Sequence, residues 1–169
     1  MRFPSLRSRG FSLAVGPGER VLATAPVTGT EEVVGGTRDA LYLPQRVPWE
    51  QVAAADWDQD ASVLTVVEVA AFGEPSPTRR LHLEPSARFL QLVRERVTAS
   101  IVLQRHVAVL DRRGVRVLGR RAPGRPGPLT WFVEYDAGLD PADPRVVEVV
   151  EAALAAARAD VGLVAGLDF

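Results

Sequence analysis

Twenty of the 169 residues are basic, and every one of them is arginine. Seven lie between Arg105 and Arg125 (positions 105, 112, 113, 116, 120, 121 and 125), against a single acid, Asp111. The sign then reverses: Glu134 to Glu151 holds six acids and one arginine. Guanidinium groups grip carboxylates and phosphates with paired N–H bonds. Arg112, Arg113, Arg116, Arg120 and Arg121 are therefore the candidate binding residues. On a strand covering Gly114–Arg121, Val115 and Val117 point one way, Arg116 and Arg120 the other. With Arg112 and Arg113 at the preceding turn, this predicts a basic ridge suited to an anionic lipid headgroup, an acidic peptide or nucleic acid. The competing reading is a solvated strand face, or one paired with the acidic helix that follows, since charge runs are usually wet surfaces. Exclusive use of arginine fits GC-rich coding, so no single arginine is read as chosen over lysine.

Other candidate chemistry is weaker. Asp56, Asp58 and Asp60 alternate as at the start of a calcium loop, but such a loop needs Gly at its sixth position and Glu at its twelfth. Ala61 and Val67 stand there, so the stretch reads as a polar hairpin tip and no metal site is expected. His82 and His106 are the only histidines, and neither belongs to a spaced ligand motif or to a triad with a Gly-flanked serine. Gly16-Pro17-Gly18 and Gly35-Gly36 lack the helix start and Lys-Ser/Thr of a phosphate loop. No catalytic residue, enzyme activity or cofactor is expected from this sequence. Trp131, Val133 and Tyr135 alternate on one strand face. That is the spacing of a core more than of an exposed stacking platform.

Composition bounds the rest. The chain is 47% hydrophobic and 24% charged, which excludes global disorder. A net charge of −1 argues against a general nucleic-acid binder. The absence of cysteine excludes disulfides and predicts a reducing, cytoplasmic setting, with a peripheral membrane location as the variant. No apolar run reaches the roughly 18 residues a membrane helix needs, and residues 1–18 read as a basic arm with no signal-peptide core.

The elements that must position these residues follow in order. Arg20–Pro26, Glu31–Thr37, Ala40–Pro44, Gln51–Trp57, Ser62–Ala70 and Thr78–Glu84 read as short strands. Pro44 and Pro48 confine Arg46–Trp49 to an edge or a corner. Pro85–Val102 reads as an amphipathic helix capped by Ser86, with Phe89, Val93, Val97 and Ile101 as its apolar stripe. Ile101–Leu110, Gly114–Ala122 and Leu129–Asp136 read as a three-stranded meander. The repeated Asp-Pro of DPADP then opens a second helix, with Val146, Val149, Val150, Ala153, Leu154 and Ala157 as its apolar stripe.

The order of elements over residues 19–102 resembles pleckstrin-homology-like domains. Gly18–Ala23, Thr37–Pro44 and Arg46–Asp58 look like the pattern of an uncharacterised actinobacterial family, and the likeness runs over roughly residues 17–162. The resemblance implies an α+β fold: an antiparallel PH-like β-barrel closed by one helix at 19–102, then a βββα unit at 103–162 docked on it. The arm at 1–18 and an apolar tail at 163–169 flank these. It implies no reaction, because such domains bind phosphoinositides, peptides or proteins. The expected function is a non-enzymatic interaction or adaptor module for a protein partner. The alternative is binding of a phospholipid headgroup that recruits the chain to a membrane surface.

Overall fold

The computed structural model describes residues 13–70 and 74–165. Most of the arm and the end of the tail lie outside them. The protein is α+β, with ten strands in three antiparallel sheets and two α-helices among the described residues. The first sheet is a meander of β1 (Ala23–Pro26), β2 (Val33–Gly36), β3 (Ala40–Leu43) and β4 (Gln45–Pro48). The second holds β5 (Val52–Asp58), β6 (Val63–Glu68) and β7 (Thr78–His82) in sequence order. Helix α1 (Ala87–Ser100) passes without a loop into β8 (Ile101–Leu110). Strands β9 (Arg113–Arg120) and β10 (Thr130–Tyr135) complete the third sheet, in the order β10-β9-β8, and α2 (Pro144–Ala165) lies against it.

The first two sheets meet at one seam. Val27 bridges Leu83; the Thr28 N–H donates to the His82 carbonyl at 2.9 Å and the Glu84 N–H to that of Pro26 at 2.9 Å. At the other side no strand pairing joins β4 to β5, so the expected closed barrel is not found. The reason is local. Pro48 ends β4, and a 3-10 turn at Trp49–Gln51 carries the chain around a corner into β5, which belongs to the second sheet. Trp49 fills that corner with no exposed surface, and its indole N–H donates to the Thr37 carbonyl at 3.0 Å. A buried indole needs such a partner.

Helix α1 covers the space between these sheets. Phe89, Leu92 and Val93 are buried against Ala25, Leu41, Trp49, Val52, Leu64 and Leu83. Close approach requires Gly36, where an added Cβ would stand 2.7 Å from Leu92 Cδ2 and 3.1 Å from Trp49 Cζ2. Ser86 occupies the N-cap position, but its hydroxyl does not cap the helix. It donates to the Thr24 carbonyl of β1 at 3.0 Å, tying the helix start to the sheet. At α2 the expected cap is present: Asp143 Oδ1 accepts the Arg145 N–H at 2.9 Å, and Pro144 is the first helical residue. Val146, Val150, Ala153 and Ala157 are buried on Val115 and Val117 of β9. These apolar clusters are separate from the one beneath α1.

Phe89→Ala is expected to cost about 3–5 kcal/mol through lost contacts and an incompletely collapsed cavity. Val102→Ala, at a side that is 41% exposed, is expected to stay within about 0.5 kcal/mol. Urea unfolding followed by far-ultraviolet circular dichroism checks both; equal midpoints for the two variants would contradict the packing described.

Candidate functional site

The tight turn between β8 and β9 places the first two candidate arginines. Asp111 takes the left-handed conformation at φ 53°, and Arg112 and Arg113 are exposed beside it. Arg113 Nη1 reaches the Gly138 carbonyl at 3.4 Å, a marginal contact. The side chains of Arg112 and Arg121 are exposed and make no hydrogen bond or ion pair among the described residues. Arg116 lies opposite Glu134 in the β9–β10 register, and its Nη1 is 2.9 Å from Glu134 Oε2. Both side chains of that pair are about two-fifths exposed, so it contributes at most ~1 kcal/mol.

Arg120 departs from the expected ridge. It does share the Arg116 face of β9, but it is only 2% exposed, because the start of β5 and the end of α1 cover that end of the strand. Its Nη1 donates to the Val52 carbonyl at 3.0 Å and to Ser100 Oγ at 2.9 Å, and its Nη2 donates to the Ala53 carbonyl at 2.9 Å. Ser100 is itself buried; its hydroxyl donates to the Val97 carbonyl at 2.7 Å, and its carbonyl accepts the Arg121 N–H at 3.0 Å. Burial pulls the Arg120 pKa below the ordinary guanidinium value, and the charge of Glu134 acts the other way. The side chain is thus a structural tie between the two groups of elements. One sequence signal pointed to this. Leu118 is apolar in the register of Arg116 and Arg120, which marks the far part of that face as covered.

The remaining charges hold the connection between β9 and β10 in place. Arg38 Nη2 donates to the Gly124 carbonyl at 3.0 Å, and Arg125 Nη2 is 2.8 Å from Asp39 Oδ2. This clasp borders a cleft of about 460 Å³ that also touches Glu19, Arg46 and Glu50. Burial alone would raise the Glu19 pKa, but hydrogen bonds from Thr37 and Arg46 outweigh it and hold the carboxyl below its ordinary value. Asp39 Oδ1 and Glu50 Oε2 are buried without a hydrogen-bond partner.

The two histidines lie on different sheets, His82 at the end of β7 and His106 on β8. Both are exposed. His106 Nε2 is 3.1 Å from Asp136 Oδ2, and the same oxygen accepts the Gly114 N–H at 2.8 Å. The Gly114 N–H first, and then His106, hold the Asp136 carboxyl below the usual carboxylate range. Asp58 Oδ1 accepts the Ala61 N–H at 2.9 Å, so this member of the aspartate run shapes a hairpin tip. No group of three or more metal-ligating side chains occurs among the described residues. Trp131 and Val133 pack in the cluster with Val117, and Tyr135 and Val133 in the one with Val115, so the alternating aromatics belong to the core. Gly119 lets the Trp131 ring lie on β9, since a Cβ there would be 3.0 Å from Trp131 Cζ3.

Two predictions follow from these contacts. Arg120→Ala leaves two β5 carbonyls without their donor and is expected to lower stability by about 2–4 kcal/mol, against less than about 1 kcal/mol for Arg116→Ala; urea titration of both variants reads the difference. A carboxyl with a lowered folded-state pKa stabilises the fold above its unfolded-state pKa and loses that contribution as pH falls through the folded value. The gap in urea midpoint between the unaltered chain and Asp136→Asn should therefore be open at about pH 6 and close towards about pH 3. A gap that persists at the acid end would contradict the role given to the ionised carboxylate.

No protein-family model matches the chain, and neither the curated proteins nor the solved structures contain a match to it.

Proposed function

We propose that this chain is a non-enzymatic interaction module, an adaptor that binds a protein partner along the free edge of β8 and the basic turn beside it. The observation that carries this reading is the ten-residue strand β8, which pairs with β9 on one side and with no strand on the other among the described residues. Unpaired strand edges are templates for a further strand. Exposed and half-buried residues alternate along β8; Val102, Gln104, His106 and Ala108 are on the exposed side. At its end stand Arg112 and Arg113, which favour an acidic segment of the partner.

The fold is proposed to be pleckstrin-homology-like in its first part. Supporting this are the order of seven strands and then a helix, the two sheets joined at the Val27–Leu83 bridge, and α1 packed across the opening between them. A cytoplasmic location goes with that reading. No helix among the described residues is long and apolar enough to cross a membrane. A second reading, recruitment to anionic phospholipid headgroups, is favoured by the exposed Arg112 and Arg121, which have no acidic partner among the described residues.

The test is affinity capture from native cytoplasm with the unaltered chain, with Arg112→Glu/Arg113→Glu and with Gln104→Pro, followed by mass spectrometry. A protein recovered by the unaltered chain and lost by both variants, each with unchanged circular dichroism, is the expected result. Recovery insensitive to both variants would reject the β8 surface. Sedimentation with phosphatidylserine vesicles that is abolished by the charge reversal would move the assignment to the lipid reading.

A further inference from the structure

The hydrogen bonds around β9 reveal which backbone groups of β8 lie on its free edge. The Asp136 N–H donates to the Gly114 carbonyl at 3.0 Å, and the Arg121 N–H to that of Ser100 at 3.0 Å. Bonding direction alternates along an antiparallel strand. Gly114, Arg116 and Leu118 therefore bond towards β10, and Val115, Val117 and Gly119 towards β8, where their register partners are Val107, Arg105 and Leu103. The N–H and C=O groups of Gln104, His106 and Ala108 are left pointing outward, away from β9. Register irregularities at 101–103 and 108–110 bound this stretch at both ends, so the regular part of the edge is short.

Helix α2 leaves a matching flank. Val146 and Val150 cluster with Val115, and Ala153 and Ala157 with Val117. The helix thus runs along the sheet from the end of β8 towards its start. Leu154 shares a cluster with Trp131 and Val133, on the β10 side. Asp160 pairs with Arg105, on the β8 side. At helical spacing the β8-side flank carries Val149, Ala152, Ala156 and Ala159; Val149 is half-buried and the three alanines are exposed. Glu148 and Glu151 point elsewhere, to solvent.

We propose that a second copy of this chain occupies the β8 edge, an inference that rests on that edge being the interaction surface. An antiparallel pairing about a two-fold axis at His106 sets Gln104 against Ala108 of the second copy and engages all three outward residues on each side. Centring it on Arg105 or Val107 engages only two of them, and Arg105 would put two guanidiniums face to face. Each His106 keeps Asp136 beside it at 3.1 Å, so the rings do not meet as bare like charges. The two α2 helices then lie antiparallel on one face of a continuous sheet. With strands about 4.8 Å apart, a helix over β8 and β9 stands about 10 Å from its copy, a distance at which alanine flanks touch. Arg145 at the start of one helix approaches Asp160 near the end of the other, a complementary pair repeated by the symmetry.

Sedimentation equilibrium of the full chain over a range of concentrations is expected to show reversible monomer and dimer with no larger species, because each pairing consumes the edge of both copies. Gln104→Pro removes an outward N–H and no bond to β9, so it should leave a folded monomer. Ala156→Glu should weaken the dimer about tenfold or more by setting two carboxylates across the helix pair, and Ala155→Glu, on the solvent side, should not. The chain has no cysteine, so Gln104→Cys mixed with Ala108→Cys reports the register. Residues opposed in an antiparallel pair lie within disulfide reach, and the 104–108 cross-link should dominate over 104–104 and 108–108. Should Gln104→Pro fail to fold, the glutamate variants and the cross-link still decide. A chain monomeric at every concentration, a dimer indifferent to Gln104→Pro or Ala156→Glu, or cross-links of equal yield would each overturn the proposal. The β8 surface itself falls separately, through capture of a different protein that is insensitive to Gln104→Pro.

Discussion

The guanidinium of Arg120 is where the parts of this molecule are fastened together. It joins the first two residues of β5, the last residue of α1 and the end of β9, three segments that are far apart in sequence. Apolar packing does not do this job, because the clusters beneath α1 and beneath α2 are separate. A guanidinium suits the position because its forked donors can serve several carbonyls at once, where an ammonium is a point charge on a flexible stem. Its burial would be unfavourable on its own. It is tolerated because carbonyls that would otherwise lack donors are arranged around it.

The second constraint is the corner at Trp49. A proline ends β4, the indole fills the bend, and the first two sheets are joined at the Val27–Leu83 bridge but not between β4 and β5. The unpaired side is the opening that other elements cover. The upper part of the opening is filled by Phe89, Leu92 and Val93 of α1. The lower part, at the start of β5, is met by Arg120 and the β9–β10 pair. The arrangement is a sheet pair with two plugs, one apolar and one charged.

Much of this was legible in the sequence. Helix α1 showed its four-residue stripe, the strands showed their alternation and turn residues, and the Asp-Pro pair at 143–144 marked the start of α2. What alternation cannot give is the identity of whatever covers a face. Arg116 and Arg120 have the same register on β9, yet one meets a neighbouring carboxylate near solvent and the other is enclosed. That difference comes from β5 and α1, distant in the chain. For the same reason Ser86 was placed at the helix start while its hydroxyl went to Thr24, and Pro48 marked a corner without saying that the barrel would stay open.

The junction between α1 and β8 has no loop: Ser100 ends the helix and Ile101 begins the strand. A connection without slack counts residues. One residue inserted there would shift β8 by a single position against α1, and since side chains alternate along a strand, every one of them would change faces. Leu103 and Val107, now packed towards α2, would turn outward, while Gln104 and His106 would turn in. The segment therefore works as a ruler whose length cannot vary, whereas the exposed stretch 124–128 between β9 and β10, tied at the surface by Arg38 and Arg125, has room to grow or shrink.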